Sequence, residues 1–305
     1  MKAVVTAFIE ALEKNNPGCE AVALWQDGVL TLERRFTPDK PRCIYSHTKS
    51  FTAAAVGMAI DEGKLSLDDR LADRFPEYRD VITDGRMKTV TLRHLLTMSS
   101  GIGEGLLMMP HRAEGEGCPD YLAYFLSRPL KYTPGTRFCY SNADTHMAGW
   151  MVARAVGETL QGYLYRKLFV KLGIGYPGWE ADPLGNAFGA SGMYLSIRDM
   201  GKLGLLFLND GVWNGERLLS SDWVREATRT QIPTGEPTPW TSGYGYQFWI
   251  IEDLPGAYRA DGAYGQLSVV LPEKHAVLSV QCGEENDTAR FFPMFRAAVH
   301  GQTAF

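Results

Sequence analysis

A serine and a lysine at helical spacing are the most informative reactive side chains in the sequence. Ser46 and Lys49 form the pattern S-x-x-K, which occurs once, and an almost wholly apolar stretch follows it. Positions i and i+3 share one face of a helix, so the spacing places the amine beside the hydroxyl. A serine hydroxyl needs a neighbouring base to take its proton. A lysine is such a base only where desolvation or a nearby cation lowers its pKa from about 10.4.

The pattern S-x-x-K has little specificity by itself. A chain of this length contains about one copy by chance at average serine and lysine frequencies. The non-catalytic interpretation is a serine that caps the helix and a lysine whose ammonium reaches solvent. A second group of reactive residues is therefore needed to support the chemical interpretation.

The segment Tyr140-Ser141-Asn142 supplies that second group, and Tyr-x-Asn also occurs once. In extended chain, side chains two positions apart point the same way, so the phenol and the amide share one side. A phenol beside a lysine acts as a tyrosinate base or as a proton shuttle. The Asn142 amide can hydrogen-bond both Lys49 and a substrate carbonyl. The alternative is a loop tyrosine followed by an asparagine that caps the next helix.

Further segments accompany these two motifs across most of the chain, in one consistent order. They are "GKLSLDDRLADRFPEY", "VTLRHLLTMSSGI", "PGTRFCYSN", "ASGMYLSIRDMGKL", "GYGYQFW" and "DGAYGQ". Together with S-x-x-K and Tyr-x-Asn, they resemble the serine β-lactamase and penicillin-binding-protein superfamily, in its class C-like esterase branch. The resemblance implies a serine hydrolase that works through a covalent acyl-enzyme.

The resemblance also implies a third motif on a strand, usually Lys or His, then Thr or Ser, then Gly. Here it corresponds to Ala260-Asp261-Gly262, so Gly262 is present and the cation is absent. The resemblance makes Asp261 and Gly262 substrate-binding residues and pairs the backbone amides of Ser46 and Ala263 as an oxyanion hole. A hole made of backbone amides tolerates a side-chain change. Without the cation, we expect neutral or cationic esters and amides rather than carboxylate-bearing β-lactams or peptides.

The elements that must position these residues indicate an α+β fold. An amphipathic helix and an Asp27-Gly28 hairpin open the chain, and short β-rich segments follow about residue 240 before a last helix. We therefore predict an antiparallel β-sheet flanked by terminal helices, with an inserted mostly helical domain, as in the β-lactamase/transpeptidase-like fold. The predicted domains are a discontinuous sheet domain, residues 1–62 and 187–305, and a helical domain, residues 63–186.

Composition excludes several other classes of protein. The net charge is −4 and no long basic run occurs, which argues against a nucleic-acid partner. The cysteines number 5 and form no C-x-x-C pair, and the histidines lack metal-ligand spacing, so we predict no metal and no cofactor. No apolar run reaches the length of a membrane span, and Glu10 and Glu13 interrupt the first one. A cytoplasmic protein without a membrane partner is expected.

The sequence thus predicts a serine hydrolase of small esters or amides. Ser46 is the nucleophile, Lys49 and Tyr140 share the proton transfers, and Asn142 orients Lys49; which of the two is the base stays open. One alternative is a β-lactamase or D-alanyl carboxypeptidase, and another is a binding or sensor module of the same fold without turnover. The sequence predicts neither the natural substrate nor the oligomeric state.

Three neighbouring features have weaker interpretations. His47 adjoins the nucleophile but points about 100° away from it on a helix, so we predict a structural role. Cys139 is expected to pack. The apolar run of residues 106–109 is a candidate wall for an acyl chain.

Overall fold

The computed structural model describes residues 1–304, and its central element is an antiparallel sheet. In chain order its strands are β1 (Cys19–Gln26) and β2 (Val29–Arg35), followed much later by five short or medium strands and β12. These later strands are β7 (Ile232–Pro233), β8 (Gly243–Tyr244), β9 (Trp249–Ile250), β10 (Tyr258–Gly262), β11 (Gln266–Leu271) and β12 (Ala276–Cys282). Their spatial order is β2-β1-β12-β11-β10-β9-β8-β7, so both ends of the chain share one sheet, as predicted.

Two small ladders lie outside the large sheet. The first joins β3 (Arg42–Cys43) to β4 (Tyr194–Leu195), and the second joins β5 (Val212–Trp213) to β6 (Glu216–Arg217). The first ladder ties the segment just before Ser46 to the segment just after residue 190, and both segments contribute to the site described below.

The opening hairpin follows from its turn residues. Asp27 and Gly28 both have positive φ, 51° and 77°, as a two-residue hairpin turn of the primed type requires. Gln26 therefore pairs with Val29 across the turn. The other edge of β1 is then free to pair with β12.

The helices are numbered α1 to α12 in chain order. Their bounds are α1 Lys2–Asn15, α2 Thr48–Asp61, α3 Leu71–Arg74, α4 Leu92–Leu96, α5 Met109–Ala113, α6 Tyr121–Leu126, α7 Asn142–Val156, α8 Leu160–Leu164, α9 Val170–Leu172, α10 Ile197–Leu208, α11 Ser221–Ala227 and α12 Thr288–Val299. Short 3₁₀ turns occupy Tyr45–His47, Pro76–Val81, Gly85–Thr89, Ala263–Gly265 and Pro272–Lys274, and a π turn, Tyr165–Phe169, joins α8 to α9. In residues 1–304, no helix has both the length and the apolar composition needed to cross a bilayer.

The two faces of the sheet carry different helices. Alternate residues of β1 point to opposite faces. Val22 and Leu24 pack beneath α1 and α12, where the Phe8 ring lies 6.0 Å from the Phe295 ring. Trp25 points to the other face and lies against α10, where a Cβ on Gly201 would come within 2.4 Å of its indole. Both terminal helices thus flank the same face of the sheet.

The helix that follows Ser46 lies in the interior of the molecule. Residues 48–59 of α2 are all buried, and the helix packs against α7, α8 and β10. Small residues permit this close approach: a Cβ on Gly57 would lie 2.3 Å from the Trp223 indole nitrogen. The strands of the large sheet fall within residues 1–62 and 187–305, and α3 to α9 fall within 63–186. We keep the predicted two-domain division as a proposal on that basis.

Candidate active site

The nucleophile turn is a single 3₁₀ turn, Tyr45–His47, that continues directly into α2. Tyr45 has a left-handed backbone, φ 45°, a conformation that costs energy for a residue with a side chain. The continuous helical path brings Lys49 Nζ to 3.1 Å from Ser46 Oγ. Ser46 stays partly accessible, whereas Lys49 is 1% exposed. An accessible hydroxyl therefore sits above a buried amine.

The Lys49 amine has three oxygen partners. Besides Ser46 Oγ, they are Asn142 Oδ1 at 2.5 Å and the Ala190 carbonyl oxygen at 2.8 Å. Among residues 1–304, no carboxylate hydrogen-bonds this amine. Burial lowers the pKa of Lys49 well below its ordinary value, and the nearby positive charge of Arg112 lowers it further. Solvent exclusion and a cation thus both favour the neutral amine.

The partners decide which hydrogen bonds a neutral lysine can make. A neutral amine carries two N–H donors and one lone pair. The carbonyl oxygens of Ala190 and Asn142 can only accept, so both N–H groups are committed to them. The lone pair is left for the third partner, and the Ser46 hydroxyl is then the donor. The geometry therefore suits removal of a proton from Ser46.

Asn142 is held in place from its other side. Its Nδ2 donates to the Leu107 carbonyl oxygen at 3.0 Å, which fixes Oδ1 toward Lys49. Arg112 Nη1 donates to the same carbonyl oxygen at 2.6 Å. Arg112 is also bidentate with Glu180, at 3.1 and 3.0 Å. One amide hydrogen of Asn142 is committed to Leu107, so this asparagine acts mainly on the lysine.

Tyr140 lies in extended chain just before α7 and faces the same amine. Its ring centroid is 5.0 Å from Lys49 Nζ and 5.8 Å from the Trp249 ring, on which it stacks. Burial raises the pKa of the Tyr140 phenol well above its usual value, and a hydrogen bond with Ser46 opposes that rise. The phenol is therefore protonated at neutral pH. Of the two chemistries predicted for it, proton shuttling fits this state and a standing tyrosinate does not.

Gly262 closes the site from the sheet. Its φ is −130°, so the glycine is needed for space and not for backbone conformation. A Cβ there would lie 2.2 Å from the Ile44 carbonyl oxygen and 3.2 Å from the His47 amide nitrogen. Strand β10 thus runs directly against the nucleophile turn. Ala263 follows at an exposed position, and Tyr264 after it has a left-handed φ of 62°.

Asp261 is not a free anion. Its carboxylate accepts from Arg259 Nε at 2.9 Å, and Arg259 is 4% exposed. The guanidinium lies 5.1 Å from the Trp240 ring and 5.3 Å from the Trp249 ring. Asp261 itself keeps a quarter of its side chain accessible. This internal cation therefore offsets part of the repulsion that Asp261 would exert on a substrate carboxylate.

Residues with weaker interpretations also have clear places. His47 is fully buried, its Nε2 lies 3.0 Å from Ser268 Oγ, and burial lowers its pKa to about 3. The imidazole is therefore neutral and faces the sheet. Cys139 is half-buried, and burial raises the pKa of its thiol. Leu106 and Leu107 are buried in the core, so of the predicted acyl wall only Met109 is prominently exposed.

The structure thus brings Ser46, Lys49, Tyr140 and Asn142 together, while their catalytic roles stay predictions. Sequence reasoning missed the carbonyl oxygens of Ala190 and Leu107 and the charge of Arg112. A backbone carbonyl leaves no mark on residue type. The segment "ASGMYLSIRDMGKL", which begins at Ala190, carries part of the family resemblance but does not indicate a role for that carbonyl oxygen.

A serine–lysine pair at the start of a buried helix, closed by the end of an antiparallel strand, is the arrangement of the β-lactamase and transpeptidase folds. The chain belongs to the Beta-lactamase family, whose model matches residues 5–291. The octameric penicillin-binding protein homologue from Pyrococcus abyssi superposes with a TM-score of 0.75 at 21% identity, over 99% of this chain and 77% of that one.

Two curated relatives are hydrolases by name. The chain is similar to the 6-aminohexanoate-dimer hydrolase of Paenarthrobacter ureafaciens, 25% identical over 263 residues, which are 80% of this chain and 66% of that protein. It is also similar to esterase EstB of Burkholderia gladioli, 35% identical over 127 residues, 38% of this chain and 32% of that protein. The chain therefore spans between a third and two thirds of the length of these two relatives.

Proposed function

We propose that the protein is a serine hydrolase that cleaves small esters or amides through a covalent acyl-enzyme. The observation that carries this proposal is the Lys49 amine. It is buried, its two other partners are obligate acceptors, and it lies 3.1 Å from the Ser46 hydroxyl. A lysine placed only for stability would pair with a carboxylate or reach solvent.

The first half of the reaction forms the acyl-enzyme. Lys49 takes the Ser46 proton as Oγ attacks the carbonyl carbon. The Ser46 and Ala263 amides hold the oxyanion, in the space that Gly262 leaves open between β10 and the turn. The proton then passes through the Tyr140 phenol to the leaving group, and the carbon–oxygen or carbon–nitrogen bond breaks. The phenol, protonated at rest, is suited to this shuttle.

The second half is hydrolysis of the acyl-enzyme. A water molecule attacks the acyl carbonyl, and the same lysine and phenol carry its proton to the departing Ser46 oxygen. This is the reverse of the first half with water in place of the leaving group. Asn142 keeps the amine aimed throughout, since its own amide is fixed by the Leu107 carbonyl.

The residue at position 260 favours esters and linear amides over β-lactams as substrates. Ala260 is 4% exposed and offers no cation to a substrate carboxylate, and Asp261 beside it is acidic. We therefore place the protein with the esterase branch of its family, as a small-molecule enzyme without a membrane or nucleic-acid partner. A cytoplasmic location stays a prediction. The names of the two curated relatives, a 6-aminohexanoate-dimer hydrolase and an esterase, support this substrate class.

A fluorophosphonate probe and a set of p-nitrophenyl esters test the proposal. We expect Ser46→Ala to abolish labelling and turnover. Ser66→Ala, an exposed serine after the same helix, should change neither. A Ser46→Ala protein that is still labelled or still active would refute the nucleophile assignment.

Two further outcomes identify the alternatives. A wild-type adduct that forms with esters and never hydrolyses would favour the sensor module. Hydrolysis of a chromogenic cephalosporin as efficient as hydrolysis of the esters would favour the β-lactamase.

A further inference from the structure

A large cavity adjoins the nucleophile turn. Its volume is about 650 Å³. Its lining includes two residues that are adjacent in sequence to residues of the candidate site. Tyr45, which precedes Ser46, lines it, as does Ser191, which follows the lysine-bonded Ala190. Ser46, Lys49, Tyr140 and Asn142 do not line the cavity themselves, so it borders the site through these two sequence neighbours. This position makes it a candidate for the acyl portion of a substrate attached to Ser46.

The walls of this cavity combine aromatic rings with carboxylates. Its aromatic lining consists of Tyr45, Tyr121, Trp179 and Tyr194. Two acids, Glu180 and Glu284, line it as well. Burial raises the pKa of the Cys43 thiol, and both carboxylates raise it further. The pKa of the Tyr194 phenol is raised by Cys43, by burial and by the same two carboxylates, so the two negative charges act on the same wall. Aromatic faces and carboxylates together form the environment that binds organic cations.

The charges on the walls do not cancel. Arg112 is the cation of the lining, and it is already bidentate with Glu180 and stacked 4.2 Å from the Phe188 ring. Arg42, which precedes the lining residue Cys43, does not line the cavity and is paired with Glu20.

Glu284 accepts a hydrogen bond from the Tyr45 phenol, which raises the pKa of that phenol. The phenol positions the carboxylate without neutralising it. One negative charge is thus left over beside the nucleophile.

We propose that this cavity binds a cationic group, an alkylammonium, carried by the acyl portion of the substrate, and that Glu284 is the residue that selects it. The inference rests on the proposed serine hydrolase function. It narrows the substrate class to esters and amides whose acyl chain ends in an ammonium group. Tyr45 links selection to catalysis, since its phenol holds Glu284 and its backbone carries Ser46.

Matched p-nitrophenyl esters test this selectivity. One acyl chain ends in a trimethylammonium group and the other in a tert-butyl group of the same shape. We expect wild-type kcat/KM to favour the cationic ester by about tenfold, the combined effect of one ion pair and the neighbouring aromatic rings. The preference should shrink with added salt, because exposed charges are screened.

Two neighbouring glutamates provide the variant and its control. Glu284→Gln should lower kcat/KM for the cationic ester by about tenfold and leave the tert-butyl ester unchanged. Glu285→Gln, at the next exposed position and outside the cavity, should change neither. Equal rates for the two esters in the wild type, or an equal loss for both in Glu284→Gln, would overturn the proposal.

Binding separates this inference from the catalytic proposal. The Ser46→Ala protein keeps the cavity and cannot turn over either ester. We expect calorimetry to show tighter binding of the cationic acyl amide than of its tert-butyl counterpart, with the difference lost in Ser46→Ala/Glu284→Gln. Equal binding of the two amides would refute the cation site whether or not the wild type hydrolyses esters.

Discussion

The Lys49 amine nitrogen lies 2.8 Å from the carbonyl oxygen of Ala190. That oxygen cannot donate, so it always consumes one N–H of the lysine. Together with Asn142 Oδ1 it leaves a neutral Lys49 with its lone pair for Ser46. The nucleophile and its base are thus oriented by a loop more than a hundred residues away in the sequence.

The first prediction concerns the protonation state of Lys49. With the neutral tert-butyl ester, kcat/KM should rise with pH through the lowered pKa of Lys49 and then level off, because only the neutral amine accepts the Ser46 proton. Lys49→Met should reduce kcat/KM at least about 100-fold. Lys64→Met, an exposed lysine beyond the end of α2, serves as the control. A wild-type rate that falls as pH rises from acid to neutral would contradict the assignment.

The second prediction concerns the proton that Tyr140 delivers. Tyr140→Phe should lower kcat/KM, which reports formation of the acyl-enzyme, by about 100- to 10,000-fold where the leaving group must be protonated, as in an alkyl ester or an anilide. The loss of kcat/KM should be much smaller for p-nitrophenyl esters, whose leaving group departs as an anion. Values of kcat/KM across a leaving-group series measure the difference. An equal loss along the whole series would show that the phenol acts elsewhere, for example on Ser46 alone.

The third prediction concerns the contact between strand β10 and the nucleophile turn. Gly262→Ala puts a methyl group 2.2 Å from the Ile44 carbonyl oxygen, so the strand or the turn must shift. We expect at least about a 100-fold loss of kcat, since misplaced oxyanion donors cost that much, and a stability loss of about 1–3 kcal/mol.

Gly175→Ala is the matched control, because its Cβ would meet nothing within 4 Å. Denaturant unfolding and ester kinetics on both variants measure the two effects. A Gly262→Ala enzyme with wild-type kcat would mean that β10 can move without cost to the oxyanion hole.

The fourth prediction concerns Arg112, which acts on Lys49 in two ways. Its charge lowers the lysine pKa, and its Nη1 donates to the Leu107 carbonyl that also holds Asn142. Arg112→Met should therefore move the acid limb of the pH–rate profile to higher pH for the neutral ester. Arg154→Met, a half-exposed arginine paired with Glu77, is the control. An unshifted limb would leave Arg112 with a purely structural role.

Much of the fold could be predicted from local sequence signals. The predicted Asp27-Gly28 turn depends on two residues with defined backbone preferences, and it is confirmed. The Ser196 cap of α10 and the end of α7 at Gly157 depend on local signals of the same kind. It could not be predicted that both terminal helices pack on the same face of the sheet. An amphipathic pattern shows which side of a helix is buried, but it does not show which face of the sheet that side contacts.

The part of the candidate site that could be predicted consists of the side chains whose residue types have characteristic chemistry. Ser46 and Lys49 are joined by a hydrogen bond that their i, i+3 spacing already indicated. The Asn142 amide accepts from Lys49, as its residue type suggested. The cation that adds to the effect of burial on the pKa of Lys49 was not predictable, and neither was the cation that pairs with Asp261. They are a cation on α5 and a guanidinium on the same strand, and such ion pairs depend on tertiary packing rather than on a motif.

The last prediction concerns a buried carboxylate beneath the catalytic segment. Asp144 on α7 is 1% exposed and accepts from the Ser100 hydroxyl at 3.0 Å and the Ser100 amide at 3.3 Å. Burial outweighs these bonds and raises the pKa of Asp144 to about 7. In the unfolded chain an aspartate has a pKa of about 3.9. The native state therefore binds the proton more tightly, and this contribution to stability is complete below about pH 4 and lost as pH rises through about 7.

Asp144→Asn should remove this pH dependence while its side-chain oxygen keeps accepting from Ser100. The free energy of unfolding of the variant relative to the wild type should grow between about pH 4 and 7, by on the order of 3 kcal/mol. Denaturant titrations at several pH values measure it, with Asp222→Asn, at a fully solvated position, as the control. Parallel stability curves for Asp144→Asn and wild type would show that this carboxyl titrates alike in both states. They would also separate Asp144 from Lys49 as the source of pH dependence, because the lowered lysine pKa makes stability rise with pH.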